Sequence, residues 1–178
     1  MARLFAALLL PVEASAHLDE HLDGLRSARP DLRWQPPAKW HLTLEFLGEC
    51  GPRDVDRQLE RWERRARRGQ PFDLHLAGAG TFGKTFAARV LWAGLGGDLE
   101  GWRRIAAFDQ QPHVTLARTR ERIDLTGPVL ELERYTGPTW TADRLAVVQS
   151  HLQGGAGSRY EPLEFFPLGG GLPDGVDG

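Results

Sequence analysis

Hydrophobic and polar positions alternate along this chain with two different periods, and the change of period separates predicted strands from predicted helices. A period of two or a short continuous apolar run predicts a strand, whereas apolar residues three or four positions apart predict a helix. The predicted strands are Arg3–Leu10, Leu32–Trp34, Trp40–Leu47, Phe72–Ala79, Arg89–Leu95, His113–Arg118, Trp140–Leu152 and Tyr160–Leu168. The predicted helices are Val12–Ala28, Asp54–Arg68, Leu99–Phe108 and part of Leu125–Tyr135.

The predicted elements divide into two similar halves. Each half contains one buried strand and one strand that alternates polar and apolar residues. This suggests an internal duplication with approximate two-fold symmetry. No linker separates the halves, and 178 residues are typical of one domain. We therefore expect a single domain of two interleaved lobes over residues 1–168. A hairpin loop is expected at Gly154–Gly157, and a flexible tail over residues 169–178.

One four-residue pattern occurs twice. His41-Leu42-Thr43-Leu44 and His113-Val114-Thr115-Leu116 both place a histidine and a threonine two positions apart, with apolar residues between. In a strand, the histidine and threonine then share one face and the apolar residues take the other. On composition alone one such match is expected about 0.05 times, and two matches arise in roughly one chain in a thousand. Two such strands facing each other would place two imidazoles across a cleft.

Facing imidazoles are suited to acid–base chemistry near neutral pH, because one can accept a proton while the other donates one. This division fits in-line displacement at phosphorus, with Thr43 and Thr115 donating hydrogen bonds to phosphate oxygens that gain charge. The scheme requires neither a metal ion nor a cofactor.

Two other interpretations of the histidines are open. Both could be core residues whose hydrogen bonds are satisfied, or they could bind a metal ion. Metal binding is disfavoured, since threonine is a poor ligand and no acidic residue recurs in both copies. Glu45 follows the first motif, but Ala117 holds that place in the second.

Composition restricts the partners and the compartment. The formal net charge of −2 gives no general attraction to nucleic acid, so any RNA contact needs a local basic patch. A single cysteine, Cys50, excludes an internal disulfide and a cysteine-cluster zinc site. Residues 1–16 imitate a signal peptide, but Pro11 and Glu13 interrupt the pattern, and no segment has the length of a membrane span. We expect a cytoplasmic protein without a membrane partner.

The residues around the motifs resemble a known family. The chain is similar to the two-histidine phosphoesterase superfamily, and within it to the RNA 2′,3′-cyclic phosphodiesterases, historically called 2′-5′ RNA ligases. The resemblance extends to about Leu168. It is carried by the segments Arg3–Ala7 with Pro11, Pro37 with Trp40–Glu49, Arg89–Trp92, Pro112–Arg118, Tyr160–Leu163 and Phe166–Leu168.

The resemblance implies an α+β, bilobal fold with two antiparallel sheets, pseudo-two-fold symmetry around a central cleft, and helices on the outside. It also implies hydrolysis of an RNA terminal 2′,3′-cyclic phosphate to a 2′-phosphomonoester without metal. His41 would be the proton donor and His113 the proton acceptor, with Thr43, Thr115 and Arg118 at the phosphate. Geometry alone does not assign the two histidine roles.

Two features depart from a simple transfer of the family pattern. An ideal strand would point Arg118, five residues after His113, to the opposite face, and a bulge would be needed to bring it back. In addition, Gly94–Gln111 is shorter than in the family and has room for only about three helical turns. This shortening affects how the second lobe is covered.

Other functions remain open at this point. The substrate could be a small cyclic nucleotide or 2′-5′ linked RNA, and a non-catalytic module that binds RNA ends is a further alternative. Arginines crowd the helix Asp54–Arg68, where they could steer RNA or form a solvated face. Trp40, Phe46 and Tyr160 could stack a base or pack in the core. We expect a monomer acting on RNA ends with a 2′,3′-cyclic phosphate, tRNA fragments among them.

Overall fold

The alternation of short apolar strands and amphipathic helices folds into two antiparallel sheets. In the computed structural model, which describes residues 1–153 and 157–170, these sheets contain nine strands. The strands are β1 Ala2–Leu9, β2 Arg33–Trp34, β3 His41–Cys50, β4 Phe72–Thr81, β5 Ala88–Gly97, β6 Val114–Ile123, β7 Trp140–Ala142, β8 Arg144–Gln153 and β9 Gly157–Pro167. The helices within the described residues are α1 Val12–His21, α2 Asp23–Ala28, α3 Pro52–Arg68, α4 Leu99–Ile105 and α5 Thr126–Leu132.

The two sheets have related orders. One sheet runs β3-β1-β8-β9, and the other runs β2-β6-β5-β4-β7. If the short β2 is set aside, each sheet begins with a strand that carries one histidine–threonine motif. β3 also contacts β6, so the two motif strands approach each other. The expected pair of antiparallel sheets in an α+β fold is confirmed.

The main core lies on the faces of the sheets that the helices cover. Leu4, Leu8, Leu42 and Leu44 point into it from the first sheet, and Trp62 of α3 is completely buried there. A second, smaller cluster of Phe5, Ala7, Ala146 and Val148, with Tyr160 packed against it, occupies the opposite face of the first sheet. The first sheet therefore has one face in the core and one partly apolar face toward the motifs.

Two predicted elements are each divided in the structure. The helix expected over Val12–Ala28 is two helices, because Leu22 has ψ of −9°, far from the usual helical value of about −42°, and Gly24 follows it. The strand expected over Trp140–Leu152 is interrupted at Asp143. Its first part, β7, pairs with β4, whereas β8 pairs with β1 and β9 in the other sheet. Strand periodicity does not indicate in which sheet a segment pairs, so the crossing was not visible in the sequence.

The short segment Gly94–Gln111 still covers its lobe. The helix α4 ends at Ile105 rather than at the expected Phe108, because Ala106 is extended and the Ala107 amide donates to the Leu44 carbonyl of β3 at 2.8 Å. Trp102 and Ile105 of this helix are buried in the core. Two helical turns are therefore sufficient here.

The described part of the chain ends in a short 3₁₀ turn, Leu168–Gly170, with Leu168 buried. Apart from Gly157, the hairpin loop expected at Gly154–Gly157 lies outside the described residues, and so does the expected tail beyond Gly170. The domain limits of residues 1–168 and 169–178 stay a prediction. No helix within the described residues is long and apolar enough to cross a membrane.

Candidate functional site

The first motif histidine is fixed by its own backbone neighbourhood and by two aromatic rings. A 3₁₀ turn over Pro37–Lys39 ends one residue before β3, and His41 is the first residue of that strand. The Nδ1 atom of His41 lies 2.8 Å from the carbonyl oxygen of Lys39. The imidazole packs against Phe5 at a centroid distance of 4.7 Å and against Tyr160 at 5.2 Å, edge to face.

The second motif histidine repeats this arrangement. His113 directly precedes β6, and its Nδ1 atom lies 2.8 Å from the carbonyl oxygen of Gln111. Phe82 meets the imidazole edge to face at 4.9 Å, and Trp92 lies at 6.3 Å. Each histidine is thus held by a carbonyl two residues earlier and flanked by two aromatic side chains.

These backbone contacts determine the tautomer of both rings. A carbonyl oxygen only accepts hydrogen bonds, so Nδ1 must carry the proton in each case. Within the described residues, neither Nε2 atom makes a hydrogen bond. Each neutral ring therefore has an unprotonated Nε2 that is free to exchange a proton with a bound molecule.

Burial and neighbouring positive charge lower the pKa of both imidazoles. Burial is the largest cause that lowers the pKa of His41 below the ordinary 6.5, the Lys39 carbonyl opposes it, and the charges of His113 and Arg118 add to the lowering. The pKa of His113 is also lowered, first by burial and then by Arg118, against the Gln111 carbonyl. The charge effects link three residues from two strands, so the structure brings His41, His113 and Arg118 into one electrostatic group.

The two threonines occupy equivalent positions in their sheets. Thr43 pairs with Ala7 of β1, and Thr115 pairs with Trp92 of β5. Thr43 is only 4% exposed. Neither hydroxyl takes part in a hydrogen bond among the described residues, so neither is already committed to a partner there.

A bulge follows each threonine and accounts for the position of Arg118. In β6 the register shifts so that Leu116 is unpaired, with Thr115 opposite Trp92, Ala117 opposite Leu91 and Arg118 opposite Val90. Paired residues share a face, and Trp92 and Val90 share theirs, so Arg118 returns to the face of Thr115. Its action on the pKa of both histidines agrees with this placement. The conflict raised by ideal strand parity is thereby resolved.

The aromatic surroundings of the histidines were not predicted as a group. The ring of Trp92 lies flat on its sheet, directly over Gly80 and close to Gly94. A Cβ atom on Gly80 would be 2.4 Å from the ring, and one on Gly94 would be 3.5 Å from it. Phe82 adjoins this ring at 6.0 Å. The glycines of β4 and β5 were the available signal, since glycine within a strand often marks a close approach by another group.

The three residues considered for base stacking differ in accessibility. Trp40 is buried in the core, with the Arg26 guanidinium 5.9 Å from its ring. Tyr160 is engaged with His41 and Phe5. Phe46 is 68% exposed and pairs with Phe5, so it shares the face of the sheet that carries His41. Of the three, Phe46 is the most exposed.

The remaining histidines lie apart from this group. His17 and His21 pack against Tyr135, whose pKa is raised to about 12 by burial. His151 contacts Glu161 at 2.8 Å. In residues 1–153 and 157–170, no three histidine, cysteine or carboxylate side chains are grouped so that they could hold a metal ion.

Known proteins with similar sequence and structure cover nearly the whole chain. The family described as LigT like Phosphoesterase matches residues 8–92. An RNA 2′,3′-cyclic phosphodiesterase of Thermus thermophilus is 33% identical in an alignment that covers 94% of this chain and 91% of that protein. Another, of Methanothermobacter thermautotrophicus, is 29% identical and covers 93% and 98%. The crystal structure of TT0787 from Thermus thermophilus superposes with a TM-score of 0.74 at 32% identity, over 94% and 98% of the two chains.

These similarities agree with the fold. Two antiparallel sheets with outer helices, each sheet carrying one histidine–threonine strand, define the protein as a phosphoesterase of the α+β kind found in these neighbours. The chain belongs to the LigT-like phosphoesterase family, because its identity to the Thermus relative is high over almost the full length of both proteins. The resemblance inferred from the motifs is confirmed.

Proposed function

We propose that this protein hydrolyses the 2′,3′-cyclic phosphate at the end of an RNA strand and leaves a 2′-phosphomonoester. The observation that carries the proposal is the matched pair of imidazoles, each with Nδ1 bound to a backbone carbonyl and Nε2 free. Curated relatives are named as RNA 2′,3′-cyclic phosphodiesterases, which supports the same reaction class here.

The proposed reaction is one in-line displacement. His113 Nε2 takes a proton from water while the water oxygen forms a bond to phosphorus, and the bond from phosphorus to the 3′ oxygen breaks. His41 delivers a proton from Nε2 to that leaving oxygen. The 2′ ester bond remains, so the product is a 2′-phosphate and a free 3′ hydroxyl. This scheme assigns no step to a metal ion.

Charge on the phosphate oxygens increases during the displacement. The hydroxyls of Thr43 and Thr115 would donate hydrogen bonds to these oxygens, and the guanidinium of Arg118 would supply a positive charge and planar donors. Such donors accelerate the reaction most when they are already in place before charge develops. The lack of internal hydrogen bonds for both hydroxyls among the described residues supports this role.

The lowered pKa of His41 requires an explanation, because a proton donor must be protonated when the substrate binds. In the free protein, burial and two neighbouring positive groups disfavour the imidazolium. An anionic phosphate placed between the histidines would oppose these effects and raise the pKa of His41. Substrate binding would thus promote protonation of the donor.

Product analysis tests the proposal directly. A short RNA with a terminal 2′,3′-cyclic phosphate is incubated with the protein in the presence of a chelator, and the end groups are identified. A 2′-phosphate is expected, and its formation in chelator would establish both the bond cleaved and independence from free metal. A 3′-phosphate, or tight binding of the RNA without turnover, would contradict the proposal and favour a binding module.

The oligomeric state, the compartment and the particular RNA substrates are part of the same proposal. We expect the protein to act as a monomer on cytoplasmic RNA ends, with tRNA fragments among the substrates. Cys50 is a buried free thiol whose pKa is raised, first by burial, so it fits a reducing compartment.

A further inference from the structure

One cavity of this molecule is lined almost entirely by arginine. It has a volume of about 380 Å³ and lies between α3 and α4, beside β3. Within the described residues, its lining contains no carboxylate and no aromatic side chain. The lining residues are Arg61, Arg64, Arg65, Arg68, Gly69 and Arg104.

Helical spacing and a buried tryptophan hold two of these guanidiniums in place. Arg61 and Arg65 are four residues apart on α3 and therefore lie on one face of the helix. Their guanidiniums lie 5.6 and 5.1 Å from the ring centre of Trp62, which is completely buried. Arg61 also donates to Glu45 at 2.5 Å, and Arg65 donates to the Ala106 carbonyl at 2.8 Å. The cavity wall is thus partly preorganised.

The positive charge of the cavity is only partly balanced. Arg61 is paired with Glu45, and Arg64 with Glu60 at 3.8 Å. Arg65, Arg68 and Arg104 make no ion pair with any described residue. Gathering five guanidiniums in one place has an electrostatic cost that a bound anion would relieve. In a chain with a net charge of −2, this concentration is a local basic site.

The arginine run of α3 is therefore not one uniform solvated face. Arg67 belongs to the same run in the sequence, but it is absent from the cavity lining and is paired with Glu63 at 2.6 Å. Arg104, which is distant in sequence, joins the cavity from α4. The fold separates the arginines that line the cavity from Arg67, which lies outside it, a distinction that sequence spacing does not make.

The chemistry and position of the cavity indicate its ligand. Guanidinium groups bind phosphate through paired N–H donors, and a lining without aromatic rings offers no stacking surface for bases. Glu45, the partner of Arg61, is two residues after Thr43 on β3, but the bulge at Leu44 turns it to the other face of the sheet, which α3 covers. β3 is the outer strand of its sheet, so an RNA strand bound at the motifs would have to pass around this edge to reach the cavity.

We propose that the arginine cavity binds backbone phosphates of the RNA strand whose cyclic end lies at the histidines. This inference rests on the proposed function for the placement of the RNA end. It adds to that function a preference for RNA strands over cyclic mononucleotides.

Binding of an inert RNA tests the cavity without turnover. The probe is a fluorescent single-stranded RNA of about ten nucleotides that ends in a 2′-phosphate, titrated by anisotropy at several salt concentrations. The double variant Arg68→Ala/Arg104→Ala removes two exposed side chains that form no ion pair with a described residue, and the matched control Arg57→Ala/Arg67→Ala removes two charges from the same protein outside the cavity. The cavity variant should bind about tenfold more weakly, and its slope of log K against log salt should fall by about 1.4.

A kinetic comparison separates this inference from the proposed function. The cavity variant should keep kcat/KM for a 2′,3′-cyclic mononucleotide within about twofold, while KM for a cyclic-phosphate decanucleotide rises about tenfold. Equal loss of RNA binding in both double variants would overturn the cavity assignment. It would also be overturned if inorganic pyrophosphate displaced the RNA and the affinity for RNA did not depend on the length of the strand. If the wild-type protein hydrolyses neither substrate but the cavity variant still loses RNA binding, the proposed function fails and the cavity assignment stands.

Discussion

The two halves of this protein have the same β-bulge in their motif strands but surround it with different side chains. In the first half Thr43 pairs with Ala7, Leu44 is bulged, and the next pairs follow in order. In the second half Thr115 pairs with Trp92, and Leu116 is bulged at the same place. The two bulges therefore come at equivalent positions in the two motif strands.

The differences lie beside and beyond the bulges. Register makes Phe46 the counterpart of Arg118, and Ala7 the counterpart of Trp92. Trp92 lies over Gly80, whereas Ala7 pairs with Ala146, which also carries a small side chain. One half thus contributes a charged group and a large flat ring that the other half does not have.

This comparison shows how a repeated strand can serve two chemical roles. The carbonyl contact and the free Nε2 are common to both histidines, because they depend on backbone that the halves share. The surroundings differ, and burial lowers the pKa of both rings while Arg118 adds positive charge from one side only. The proposed donor and acceptor are distinguished by side chains outside the motif.

The largest expected effect comes from removing each histidine in turn. His41→Ala and His113→Ala should each lower kcat on the cyclic-phosphate RNA by about 10²- to 10⁴-fold, because each removes one proton transfer. The two variants should differ in rate on an aryl phosphodiester, because its leaving group departs without protonation. The ratio of variant to wild-type rate should recover for His41→Ala and stay low for His113→Ala.

His75→Ala serves as the control for these variants, since His75 lies over Gly96 and is separate from the two motif histidines. It should retain near wild-type turnover on both substrates. Recovery of His113→Ala instead of His41→Ala would reverse the proposed roles, and recovery of both would remove the distinction between the halves.

Much of the fold could be predicted from the sequence because strand periodicity is local information. The positions of β3 and β6, the shared face of each histidine and threonine, and the α+β class all follow from alternation over a few residues. The family resemblance added the two-sheet arrangement, which the similar structures confirm.

What could not be predicted depends on pairing between distant segments. The bulge at Leu116, which turns Arg118 toward His113, appears only when β6 is aligned with β5. The carbonyls of Lys39 and Gln111 have no side-chain signal, because any residue supplies a carbonyl. At Asp143 the chain passes from one sheet to the other, and this depends on which sheet offers a free edge.

A second test compares Arg118 with its counterpart Phe46. Arg118→Ala should lower kcat/KM by about 10- to 100-fold, as expected for loss of a charged hydrogen bond to phosphate, whereas Phe46→Ala should change it less than about threefold. The pH dependence gives an independent readout. Because the pKa of each histidine is lowered, both limbs of the wild-type kcat/KM profile should lie below pH 6.5.

Removing the positive charge of Arg118 lets both imidazoles stay protonated to higher pH. Both limbs should therefore move upward in Arg118→Ala, and histidine NMR titrations of the free protein should move with them. Arg118→Lys keeps the charge but not the planar donors, so its limbs should stay in place while its activity falls. Unchanged histidine titrations in Arg118→Ala would show that this side chain is not near the rings.

The smallest effect concerns Gly80, over which the ring of Trp92 lies. The first half has no such pair of glycine and tryptophan. In Gly80→Ala the new Cβ would come within 2.4 Å of the indole, so the ring must move, and its contacts with Phe82 and His113 change with it. We expect a loss of about 1–3 kcal/mol in the free energy of unfolding and about a three- to tenfold lower kcat/KM.

The double variant Gly80→Ala/Trp92→Phe distinguishes displacement of the ring from general damage. Phenylalanine lacks the indole atoms that meet the new Cβ, so it should recover part of the lost stability, and the two effects should not add. Gly24→Ala is the control, because nothing lies within 4 Å of the added Cβ and the residue is helical, where alanine should stabilise by about 0.5–1 kcal/mol. Wild-type kcat/KM in Gly80→Ala, with a shifted ring visible in tryptophan fluorescence, would mean that the position of Trp92 has no bearing on His113.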